Sequence, residues 1–191
     1  QYFATTAWRI NGGGDVGMSW HMVTDADVRR LPVPEKLLMF ADSYLDAAIA
    51  LCTQVATDRA KCTWSSGSVV LMLSAHATEL FLKAALLKRA PEEAVWVRAH
   101  DIIGLSTDYR RYFPDAEFEW EVPFRTEQPE RLSEAEIASL ASMRDAPPSI
   151  LYRYPVQKGG ADWNGLYSFE PNSFLPVLDQ LRHDFQRIRA L

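Results

Sequence analysis

Apolar residues recur every three or four positions over long runs of this chain, and proline and glycine punctuate the stretches between. From Pro34 onward, Leu37, Phe40, Ala41, Tyr44, Ala48, Cys52 and Val55 keep that spacing. The pattern predicts a helix of about five turns with one face toward a core. Cys62 to Gly67, including Trp64, reads as a loop. Ser68 to Arg89 is apolar on more than one side, with Val69, Leu73, Leu80 and Ala84 on one and Val70, Ala77, Phe81 and Ala85 on another. A helix of that kind is buried between neighbours, so it is predicted to be the centre of a bundle. Lys88 and Arg89 suit the negative end of its dipole, and Pro91 ends it.

A short third helix is expected near His100, with Ile102, Ile103 and Leu105 as its apolar contacts and Tyr112-Phe113-Pro114 as its stop. Phe118 to Val122 alternates with a period of two, which predicts a strand. Its partner is expected in Ser149 to Pro155, read as extended, or in Gly165 to Phe169 across the Gly159-Gly160 turn. Ser133 with Glu136 three residues on forms a capping-box pattern. It opens a fourth helix with the stripe Ile137, Leu140 and Met143, closed by Pro147-Pro148. The last helix starts near Asn172 or Ser173 and carries Phe174, Leu178, Leu181, Phe185 and Ile188. The fold class that follows is mainly α, an up-and-down helical bundle with a small β element.

Residues 1–31 are poorly patterned and read as an irregular N-terminal arm, with a candidate short strand at Tyr2 to Ile10 and a flexible break at Gly12-Gly13-Gly14. Met18 and Met22 are each candidate starts, which would make the residues ahead of them a separate arm or non-native. Residues 32–191 form the helical domain.

Charge narrows the function. The chain has 20 Lys and Arg against 25 Asp and Glu, a net charge of −5, and its basic residues are scattered. A protein that reads nucleic acid through a broad basic face is therefore not expected, although a local basic patch is compatible with this balance. Cys52 and Cys62 form no CxxC pair and no Cys/His cluster, so no structural metal or cofactor site is readable. With no targeting or membrane-spanning segment readable, a reducing cytoplasm is the expected location. The chain lacks GxxxxGK[ST], HExxH and GxSxG.

Three places carry candidate chemistry. His76, Glu79 and Lys83 stand at i, i+3 and i+7, on one helix face. They form either an acid–base or phosphate-contacting group, or an ordinary Glu–Lys pair beside a hydrogen-bonded histidine. His100-Asp101 stands at a helix start, where Asp101 is a capping candidate and His100 can reach back to the central helix. Adjacent residues seldom face each other on a helix, which weakens a direct His100–Asp101 dyad. Arg153 lies between Tyr152 and Tyr154 before Pro155, a setting for a phosphate contact, for base stacking or for an ion pair with a residue such as Glu79. Arg182, Arg187 and Arg189 read as the solvated face of the last helix.

The order His76-Ala77-Thr78-Glu79-Leu80-Phe81-Leu82-Lys83-Ala84, then His100-Asp101-Ile102-Ile103-Gly104-Leu105, then Arg153-Tyr154-Pro155 resembles the HEPN domain family over roughly residues 35–190. The resemblance implies a helical bundle, usually dimeric. It also implies association with nucleotides, with partner nucleotidyltransferases, and with RNA cleavage in toxin and defence systems. Ribonuclease members carry an Arg, a gap of four to six residues, then a His. None of His21, His76, His100 and His183 has an Arg at that distance upstream, so the chain departs from the nuclease pattern. The stretch Phe113 to Glu130 departs from a minimal bundle as well.

The expectation is a non-catalytic HEPN-like homodimer that binds a nucleotide, a nucleic-acid phosphate or a protein partner. Lys83, His100 and Arg153 are its ligand-binding candidates, and His76, Glu79, Asp101 and Tyr154 shape the site. No residue is assigned a catalytic role. The alternatives are a divergent metal-independent ribonuclease, using His100 or His76 with Arg153, and a purely structural interaction module.

Overall fold

The computed structural model describes residues 25–92, 100–124, 133–135, 148–163 and 168–190. The chain divides into two units between Arg30 and Leu31. Of the first, residues 25–30 are described, and there Arg29 pairs with Asp25 across one turn at 2.7 Å. The candidate strand at Tyr2 to Ile10 and the break at Gly12-Gly13-Gly14 lie outside the described residues.

The second unit is a helical bundle. Its helices are α1 (Val33–Thr57), α2 (Trp64–Arg89), α3 (Ile102–Tyr112), the short α4 (Pro148–Leu151) and α5 (Pro171–Ala190). α1 packs against α2 and α5, and α2 also packs against α3 and α4. α2 is the centre, as its pattern predicts. The whole run from Ala77 to Ala84 is buried on every side. By length and apolar content this helix would also pass for a membrane span, but 72% of its apolar window is buried inside the bundle.

α2 starts earlier than the hydrophobic pattern suggests. Thr63 caps it by accepting a hydrogen bond from the Ser66 amide at 3.2 Å, so Trp64 to Gly67 is the first turn and not a loop. Gly67 allows Phe169 to lie directly on this turn, since a Cβ there would sit 2.7 Å from the Phe169 ring. In α1 the buried stripe is Leu38, Ala41, Leu45, Ala48, Cys52 and Val55. Phe40, expected inside, is half exposed because the stripe runs through Leu38 one position away from its own.

No strand occurs among the described residues, which corrects the expected β element. A 3-10 turn at Ala116–Phe118 leads into an extended stretch in which Trp120 and Val122 are buried and Glu119 and Glu121 are exposed. The period-two alternation is real, but the segment lies on helices. Arg187 of α5 donates to the carbonyls of Glu117 and Glu119 and takes the place of a neighbouring strand's amides. Trp120 sets its ring edge-on to Phe81 and Phe185, which stack on each other at 3.9 Å.

Residues 149–155, expected to be extended, contain the end of α4 followed by turns. Pro148, which was read as a terminator, occupies the first helical position, where its fixed φ and missing amide are suited. Of the helix expected from Ser133, Glu134 and Ala135 are helical, and its stripe lies outside the described residues. So does most of Gly165 to Phe169.

The arginines of α5 are not a plain solvated face. Arg182 reaches Asp46 at 2.5 Å and Arg189 holds Asp42 through both guanidinium nitrogens at 2.8 and 2.9 Å. These pairs tie α5 to α1. Cys52 is buried under the start of α5, its thiol 3.5 Å from the Pro171 carbonyl and pushed up to about 11 by desolvation. Cys62 is exposed.

Candidate functional site

The site is built around Glu79. In the middle of α2, Glu79 is 1% exposed and accepts a hydrogen bond from the Lys83 ammonium at 2.8 Å, with Lys83 itself 4% exposed. The Glu-before-Lys order at i,i+4 is the favourable one. Burying two charges costs several kcal/mol each in desolvation, and the mutual contact offsets that only when the geometry is good. The same Glu79 Oε1 lies 3.1 Å from His100 Nδ1. A carboxylate can only accept, so the His100 Nδ1–H is the donor of this bond. Glu79 Oε2 is buried without a hydrogen-bond partner among the described residues.

His100 reaches Glu79 because Asp101 starts α3 immediately after it. The Asp101 carboxylate accepts from the Ile103 amide at 3.1 Å, which fixes the helix start. Gly104 leaves room for that cap, since a Cβ there would lie 2.8 Å from Asp101 Oδ2. The Asp101 carboxylate is thus engaged by the backbone at the start of α3. The His100 side chain remains two-thirds exposed while its ring is anchored to a buried carboxylate.

His76 lies one turn before Glu79, half-buried, with its ring edge-on to Tyr44 of α1 at 4.6 Å. Burial lowers its affinity for a proton. Glu79 opposes that shift, and the positive charges of Lys83, Arg153 and His100 reinforce it. Arg153 is therefore within electrostatic reach of His76, which follows from the packing of α4 on α2. Arg153 is exposed and forms no ion pair among the described residues. Its guanidinium lies 5.9 Å from the centre of the exposed Tyr154 ring. The loop carrying both is held by its own bonds: Arg153 donates its amide to Ile150, and the Trp163 indole donates to the Tyr154 carbonyl at 2.7 Å.

All three sequence motifs thus come near one another around the middle of α2. The expected direct role of Lys83 changes character, because its charge is buried and committed to Glu79. Among the described residues no group of three or more His, Cys, Asp or Glu could hold a metal ion. Two carboxylates that sequence reasoning passed over have clear structural roles. Asp184, 5% exposed, holds Arg187 at 2.9 Å. Glu170 accepts the amides of Asn172 and Ser173 and caps α5, which pulls its carboxyl down to about 2. The Pro171 that follows it was the readable signal for that helix start. Set against family models, curated proteins and solved structures, the chain matches none of them.

Proposed function

We propose that this protein is a HEPN-like binding domain that takes the phosphate of a nucleotide or of RNA beside the middle of α2, and that it works as a homodimer in the cytoplasm without turning the ligand over. One observation carries the reading: Arg153, exposed and with no ion pair among the described residues, lies within electrostatic reach of the half-buried His76, as does His100, which is anchored on Glu79. Glu79 is balanced by Lys83 and the Asp101 carboxylate is engaged by the start of α3, so Arg153 is the exposed cation of the cluster. Guanidinium groups bind phosphate through paired charge-assisted hydrogen bonds. In this arrangement Arg153 contacts the ligand, His100 donates or accepts beside it, and Tyr154 offers a ring face. His76, Glu79, Lys83 and Asp101 hold them in place.

The test is binding of ATP and of short single-stranded RNA to wild type, Arg153→Ala and Lys83→Met, with thermal stability followed in parallel. Arg153→Ala is expected to weaken binding by about 1.5–3 kcal/mol and leave the fold intact. Affinity falls with added salt in proportion to the phosphates contacted.

The divergent ribonuclease is kept as a second reading for one reason. A histidine whose Nδ1–H is held by a carboxylate presents a basic Nε2, the arrangement of a general base. Metal-free RNA cleavage that vanishes in His100→Ala would replace the binding reading with this one.

A further inference from the structure

Along the C-terminal half of α2, from Phe81 to Arg89, lies a groove of about 270 Å³ whose lining includes none of His76, Glu79, Lys83 and His100. Leu38 of α1, Phe81 and Ala85 of α2, Phe113 and Phe118 beyond α3, and Ile188 of α5 line it. That space exceeds the roughly 150 Å³ of an apolar cavity able to admit benzene. Its walls offer dispersion contacts and no hydrogen-bonding side chain. The rim is different. Lys88, Arg89 and Arg189 stand there, and two of them are already neutralised. Lys88 pairs with Glu35 at 2.8 Å and Arg189 with Asp42 at 2.8 Å. Arg89 is exposed and makes no ion pair among the described residues. Three cations against two carboxylates leave one positive charge at the mouth of an apolar groove.

We infer that this groove binds a medium-chain aliphatic carboxylate, with the chain along Phe81, Ala85 and Ile188 and the carboxylate on Arg89. Two features of the occupant follow from the walls and the rim. A floor without polar side chains rejects sugars and nucleotides, whose hydroxyls would go unpaired. The single surplus charge selects a monoanion over a neutral or cationic amphiphile. This site is separate from the one around Glu79 and does not depend on the function proposed there.

The experiment is calorimetric titration of the full chain with decanoate, decanol and decylammonium, each below its micelle concentration. Wild type, Arg89→Gln and Ala85→Trp are compared, and thermal melting confirms that each is folded. The expected result is saturable one-site binding of decanoate that weakens about tenfold or more in Arg89→Gln, the loss of one charge-assisted contact. Decanol should bind more weakly than decanoate and be indifferent to Arg89→Gln. Ala85→Trp fills the groove and should abolish both. Absence of saturable decanoate binding to wild type would overturn the proposal. So would decanoate binding that Arg89→Gln leaves unchanged, an outcome that does not rely on the bulkier variant folding.

Discussion

Glu79 and Lys83 are the residues on which the interior depends most. A buried pair resists the loss of one partner more than the loss of both, because a single deletion leaves an uncompensated charge. Lys83→Met is expected to destabilise by about 3–5 kcal/mol in denaturant melts. Glu79→Leu combined with Lys83→Met should cost clearly less than the single change. His76 gives a pH signature. Its folded-state proton affinity lies below the ordinary 6.5, so the unfolded chain takes up the proton first as pH falls. The associated stability is fully present above about pH 6.5 and is lost progressively below it. Melting temperature should drop more between about pH 7.5 and 5.5 in wild type than in His76→Phe. The three-four spacing made His76, Glu79 and Lys83 legible as neighbours. That Glu79 would also receive His100 was not legible, because it depends on where the Asp101 cap starts α3.

Among the elements, the stretch after α3 shows how a correct local signal leads to a wrong partner. Alternation at Phe118 to Val122 reports one buried face, and a helix bundle provides a surface for that face as well as a sheet does. What holds the stretch is Arg187, which donates to the Glu117 and Glu119 carbonyls and pairs with the nearly buried Asp184. Arg187→Ala is expected to cost about 1–3 kcal/mol, and Arg187→Lys should recover little of it, since an ammonium lacks the planar fork that spans these acceptors. Trp120→Ala removes the ring packed between Phe81, Phe185 and Tyr109, and about 3–5 kcal/mol is expected from urea denaturation. Cap chemistry moved two helix starts. Thr63 drew α2 forward over Trp64, and Glu170 with Pro171 drew α5 forward over Asn172.

For the molecule as a whole, the central place of α2 was readable because few sequences keep a helix apolar on several faces. The meeting of His76, His100 and Arg153 was not, since it needs α3 and α4 to dock near the middle of α2 from distant parts of the chain. That meeting is the basis of the proposed function, and the exposed Arg153 guanidinium is its centre. The most direct test is the affinity of a short labelled single-stranded RNA for wild type and for Arg153→Ala, measured across a salt series on protein shown by melting to be folded. The account predicts measurable binding by wild type, weakened about tenfold or more by Arg153→Ala, with a shallower salt dependence in the variant. RNA binding of equal strength and equal salt dependence in both proteins would contradict it.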